Sequence, residues 1–100
     1  MAIQRIVKMT FQEEYRATFE NYFDSIKYKV GSQPGCSGVN LLKDVSNNGV
    51  YFTYSYWENE KALNAYRDTE LFVEVWPKVK KWFSHKAEAW STEVFLTSID

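Results

Sequence analysis

Val50-Tyr51-Phe52-Thr53-Tyr54-Ser55-Tyr56-Trp57 decides how this chain is read. The run holds no glycine or proline and is rich in aromatic side chains, the composition of a strand. Alternation places Val50, Phe52, Tyr54 and Tyr56 on one face and Tyr51, Thr53, Ser55 and Trp57 on the other. Both faces are aromatic, so both need cover. Just upstream stands Asn47-Asn48-Gly49, residues that accept the positive φ angles of tight turns. A hairpin therefore joins this strand to one over Cys36–Val45. Downstream, Asn59 caps a helix reaching about Asp68, with Ala62, Leu63, Ala65 and Tyr66 turned inward. A second helical piece, Glu70 to about Phe83, carries Leu71, Phe72, Val75, Trp76, Val79, Trp82 and Phe83 as its apolar stripe. Pro77 inside it is expected to bend the helix or begin a new turn.

The two ends complete the pattern. Ile3–Phe11 alternates with period two and reads as a strand. Gln12–Gln33 has apolar residues three and four apart, at Tyr15, Phe19, Tyr22, Phe23, Ile26 and Val30, and reads as an amphipathic helix. Gly31 and Pro34-Gly35 stop it. Ala87–Phe95 alternates weakly and reads as a last strand. The order is β-α-β-β-α-β, the α+β ferredoxin-like arrangement, with helices on one face of a four-stranded antiparallel sheet. A length of 100 residues fits one domain, 1–100. The uncovered face would present Ile6, Val50, Phe52, Tyr54, Tyr56 and Trp90. So apolar a patch predicts a homodimer, its two sheets packed face to face in a barrel-like core.

Composition removes several classes of function. Hydrophobic residues are 45% and charged residues 25%, globular values that exclude a disordered chain. The net charge of −1 gives no field to hold nucleic acid or an anionic membrane. No apolar run spans a bilayer and no secretory leader opens the chain, so a soluble cytoplasmic protein is expected. One cysteine and one histidine cannot build a Cys/His zinc site. There is no glycine-rich phosphate loop, dinucleotide fingerprint or Gly-x-Ser-x-Gly elbow, so neither cofactor nor metal is expected. Aromatic residues, at 18%, are too many for so small a core alone. Some should line a pocket for a flat aromatic compound.

Pro34-Gly35-Cys36, Leu42-Lys43-Asp44, Trp57-Glu58-Asn59-Glu60-Lys61-Ala62-Leu63 with Tyr66, and Thr69-Glu70-Leu71-Phe72 together resemble the antibiotic biosynthesis monooxygenase domain family of dimeric α+β barrels. The resemblance implies the fold and leaves the reaction open among cofactor-free oxygenases of quinols and polyketide phenols, haem-degrading enzymes and others. The haem-degrading branch uses an Asn, a Trp and a haem-ligating His at places that fall on Val7, Tyr66 and Trp76 here. Trp cannot ligate iron, so haem degradation is disfavoured. The phenol oxygenases carry an Asn and a Tyr where this chain has Thr53 and Leu63. Of that motif Trp57 is kept.

Three residues are candidates for catalysis. Arg5 interrupts the apolar row Ile3, Val7, Met9, Phe11 and points toward the space of Tyr51 and Thr53. It is expected either to pair with Glu88 or Glu93 or to stabilise a phenolate. Trp57 is a plug at the strand–helix corner or an indole donor to a substrate oxygen. His85, between Ser84 and Lys86, reads as a solvated loop residue or a general base at the pocket mouth. Val7, Phe23, Tyr51, Thr53, Tyr66, Phe72 and Trp76 are the expected substrate-binding lining. The function so read is a cofactor-free monooxygenase of a quinol or polycyclic phenol. The alternative is a homodimeric module that binds a small aromatic ligand, or haem, without turnover.

Overall fold

A computed structural model describes residues 2–99. Four strands and three helices follow one another as β1 (Ile3–Phe11), α1 (Arg16–Gly31), β2 (Cys36–Lys43), β3 (Val50–Trp57), α2 (Glu60–Arg67), α3 (Glu70–Lys80) and β4 (Phe83–Thr92). The sheet is antiparallel throughout, in the order β2-β3-β1-β4. This is the ferredoxin-like arrangement, with the second helical layer divided into α2 and α3. None of the described helices is long and apolar enough to cross a membrane.

The pleat sorts the sheet into two faces. Arg5, Val7 and Met9 lie beside Ser55, Thr53 and Tyr51 under the helices. Ile6, Lys8 and Gln4 lie beside Tyr54, Phe52 and Tyr56 on the other face. The core forms where β1, β3 and α1 meet. Phe11 stacks on Phe19 at 4.1 Å, and the Tyr51 ring meets both edge-on at 5.5 and 5.4 Å. Met9 and Val79 complete this buried cluster.

Element boundaries differ from the sequence reading for identifiable reasons. The first helical stretch opens as a tight 3-10 turn, Glu13–Tyr15, and becomes α-helical only at Arg16. Gln12 is held outside the helix because its backbone N–H and side-chain amide donate to the carbonyls of Trp82 and Phe83. β2 ends at Lys43, two residues early, because Asp44 closes the hairpin loop. Its N–H donates to the Val50 carbonyl, and its carboxylate accepts from Ser46 and Asn48. Asn47 and Gly49 take positive φ within that loop. α3 runs unbroken through Pro77 and stops at Lys80, short of Phe83. The carbonyl that Pro77 leaves without a helical donor belongs to Val73, an exposed residue.

The last strand begins at Phe83, not Ala87, and ends at Thr92, not Phe95. It must pair with β1, whose paired residues run from Gln4 to Phe11. Thr92 already faces Gln4, so residues beyond it have no partner. Register shifts between Lys8 and Thr10 and between Thr10 and Phe11 break the alternation. That irregularity is why the strand was faint in the sequence.

Candidate functional site

Between the sheet and the helices lies a cavity of about 340 Å³. Its floor is Arg5, Val7 and Met9 of β1 with Thr53, Ser55 and Trp57 of β3. Its roof is Phe19, Phe23, Ile26 and Val30 of α1, Leu63, Tyr66 and Arg67 of α2, and Phe72, Val75, Trp76 and Val79 of α3. Val39 and Ala89 close the sides.

Local chemistry fixes the α2–α3 wall. Asn59 Oδ1 accepts from the Ala62 N–H at 2.8 Å and starts α2. Thr69 does two jobs at the corner: its hydroxyl donates to the Tyr66 carbonyl at 2.6 Å and accepts from the Phe72 N–H at 3.2 Å. The end of one helix is thereby tied to the start of the next. Tyr66 and Phe72 are brought edge-to-face at 5.3 Å. Trp57 stacks on Tyr66 at 5.2 Å and Phe72 on Trp76 at 6.1 Å, giving one continuous aromatic arc. Gly35 seats the start of this layer. It has a φ of +80°, and a Cβ there would stand 2.5 Å from the Ala62 Cβ.

The polar groups gather at Arg5, Thr53, Ser55, Tyr66 and Arg67. Arg5 does not pair with Glu88 or Glu93. Its Nη1 donates to Ser91 Oγ at 3.0 Å, and Glu88 pairs instead with Lys8. Burial, and secondarily the guanidinium of Arg67, draw the Arg5 pKa down from its ordinary value. Tyr66 is pushed up to about 12, chiefly by burial. It therefore stays a neutral phenol at physiological pH, its ring part of the cavity wall.

The structure brings eight of the expected residues together: Arg5, Val7, Phe23, Thr53, Trp57, Tyr66, Phe72 and Trp76 all line the cavity. Two stand outside the lining. Tyr51 is 1% exposed in the neighbouring core, and its hydroxyl donates to Glu20 on α1. It shares the pleat face with Thr53, but the Phe11–Phe19 stack fills the space around it. His85 lies in β4, not in a loop. It is exposed, sits opposite Thr10 and takes Ser84 Oγ at 2.8 Å as its neighbour. Trp57 lines the cavity with its ring, but its indole N–H is already spent on Ser55 Oγ at 2.9 Å. It therefore acts as plug and wall, and the donor expected of it is not free.

Arg67 and Ser55 are the polar lining residues that the sequence reading passed over. Arg67 stands four residues after Leu63, on the same helical face as that buried side chain, and this spacing was its one signal. Among the described residues no cluster of His, Cys, Asp and Glu has the makings of a metal site.

On the sheet's other face Ile6 lies between Tyr54 and Trp90, with Phe52 and Tyr56 adjacent. Tyr54 and Tyr56 approach at 5.0 Å. Tyr56 remains 38% and Trp90 45% exposed, so the patch expected from the sequence is present in this chain.

Three solved structures illustrate the likeness of fold. SnoaB, a cofactor-independent oxygenase from Streptomyces nogalater, superposes with a TM-score of 0.87 at 16% identity, over 99% of this chain and 98% of that one. Rv0793 from Mycobacterium tuberculosis gives 0.87 at 11% identity, over 99% and 100%. A conserved protein from Methanosarcina mazei gives 0.85 at 19% identity, over 91% and 90%. Comparison with curated proteins returns no match. The model of the family described as antibiotic biosynthesis monooxygenase matches residues 2–77, taking in every element from β1 through most of α3. With that match and the fold in agreement, the chain belongs to the antibiotic biosynthesis monooxygenase family.

Proposed function

We propose that this protein is a cytoplasmic, cofactor-free monooxygenase that oxidises a quinol or polycyclic phenol with molecular oxygen. The observation that carries the reading is the cavity itself: an apolar, aromatic-walled slot with two guanidiniums in its lining. Membership of the family and the fold shared with a cofactor-independent oxygenase support it.

The chemistry asks little of the protein. A phenol held beside Arg5 loses its proton more readily, because the cation stabilises the phenolate. The electron-rich ring then reduces oxygen directly. For a quinol, a ring C–H becomes C–OH and the quinol becomes quinone, together supplying the four electrons oxygen needs. One oxygen atom enters the product and the other leaves as water. The protein contributes orientation, a dry slot and a fixed cation. Phe23, Phe72 and Trp76 would hold the flat ring. The proton acceptor is a hydroxyl-bound water or the medium, since the lining holds no carboxylate or imidazole.

We further propose that two copies pack through the sheet face carrying Ile6, Phe52, Tyr54 and Tyr56. The exposed apolar tail after β4, with Phe95 89% and Leu96 84% exposed, adds to the surface that association would cover.

The test is oxygen uptake by chelator-treated protein against hydroquinones, naphthols and anthrones, beside a boiled control. Uptake above control with at least one compound class supports the enzyme. Saturable binding across the panel without uptake would replace it with the ligand-binding module.

A further inference from the structure

Two cations face the same cavity without an anion between them. Arg5 rises from the middle of the sheet floor and Arg67 closes the last turn of α2, and both line the pocket. The described ion pairs join Lys8 to Glu88, Lys27 to Asp24 and Lys43 to Glu20, and leave both arginines without a carboxylate. Arg5 is held in place by a neutral partner, Ser91 Oγ. Arg5 is half-buried and Arg67 exposed, so the cavity offers an entering anion two guanidiniums that no carboxylate occupies.

We propose that the ligand of this cavity is an aromatic acid, a phenol or quinol whose ring also bears a carboxylate, and that Arg5 and Arg67 receive that carboxylate together. This rests on the aromatic-substrate reading above and narrows it. Guanidiniums are planar forks of N–H donors, and a carboxylate is the planar two-oxygen anion that suits them. A bare phenol is neutral at physiological pH and arrives without charge, so it gains nothing from the two cations on entry. A carboxylate arrives already ionised. A hydroxyl ortho to it stays within reach of the same pair, where the phenolate would form. The apolar arc from Trp57 to Trp76 receives the ring.

Matched pairs test this: benzoic, naphthoic and anthracene carboxylic acids, each with an ortho hydroxyl, against the corresponding neutral amides. Dissociation constants are read by calorimetry at neutral pH. The expected result is that at least one acid binds about tenfold tighter than its amide. That preference should weaken with added salt, and should collapse in both Arg5→Gln and Arg67→Gln. Arg67 sits on an exposed helix end, so Arg67→Gln keeps the comparison sound should Arg5→Gln fold poorly. Amides that bind as well as the acids would overturn the proposal and leave the aromatic pocket standing. An acid preference that survives in Arg67→Gln would overturn the shared site. Binding of neither series would overturn the aromatic-pocket reading and this proposal with it.

Discussion

At the scale of the residue, Arg5 and Trp57 exchange importance relative to what their types suggest. Trp57 has the larger ring and the family resemblance, yet its N–H ends on Ser55, so its contribution is to packing. Trp57→Ala should cost about 3–5 kcal/mol in chemical denaturation, as truncating a buried aromatic does. Arg5 lines the cavity and has no carboxylate partner among the described ion pairs, and the role proposed for it is in the site. Arg5→Gln should keep the melting temperature or raise it slightly while lowering turnover at least tenfold. An equal loss of stability and activity would assign Arg5 to the scaffold instead. Tyr51 and Tyr66 are both raised to about 12, chiefly by burial. Being held in the protonated form, each adds stability that is full below the ordinary value near 10 and is lost as pH rises toward about 12. An ultraviolet titration should show a late phase near 12 that shrinks in Tyr66→Phe. Glu20 runs the other way. The Tyr51 hydroxyl, and then Lys43, hold its carboxyl below the ordinary 4.5. Its contribution is therefore present above that value and lost as pH falls through the lower folded one. The stability gap between wild type and Glu20→Gln should accordingly narrow in acid. Eight of the ten residues proposed for the site line the cavity, because pleat and helix periods fix which side chains share a face. The sequence hid the fate of Tyr51, whose hydroxyl is taken by Glu20 of another element, and that of the Trp57 N–H, whose bond to Ser55 two residues back on the same strand depends on side-chain rotamers that the period does not encode.

At the scale of the element, the corner between α2 and α3 sets the shape of the pocket. Thr69 ends one helix and begins the next, with Tyr66 and Phe72 on either side of it. Thr69→Ala removes both bonds and should cost about 1 kcal/mol, the usual loss for an N-cap. It should also loosen ligand affinity, because the two rings are no longer fixed relative to each other. Thr69→Ser should restore both. The cap at Asn59 was legible in the sequence because it stands immediately before a helical run, whereas the cap at Thr69 emerges only with the structure. The start of β4 was not legible either. Its first residues are chosen by pairing with the far end of β1 across register shifts, a long-range condition that local alternation does not encode.

At the scale of the whole molecule, helices cover one face of the sheet and leave the other with Ile6, Tyr54 and Trp90 side by side. If two such faces meet in solution, light scattering should give twice the mass of the chain at micromolar concentration. A charge at the centre of the patch, Tyr54→Glu, should then return the monomer without unfolding it. The cavity lies between the sheet and the helices, on the face of the sheet opposite this patch. The chemistry proposed for the cavity is that a flat phenol, a cation and a dry slot suffice to put one atom of oxygen on the ring. The most direct measurement is the mass of the product formed under isotopically labelled oxygen by chelator-treated protein, using the panel compound that supports uptake. The expected result is one labelled atom in the product and one in water. Two labelled atoms, none, or a labelled product that forms equally without the protein would contradict it.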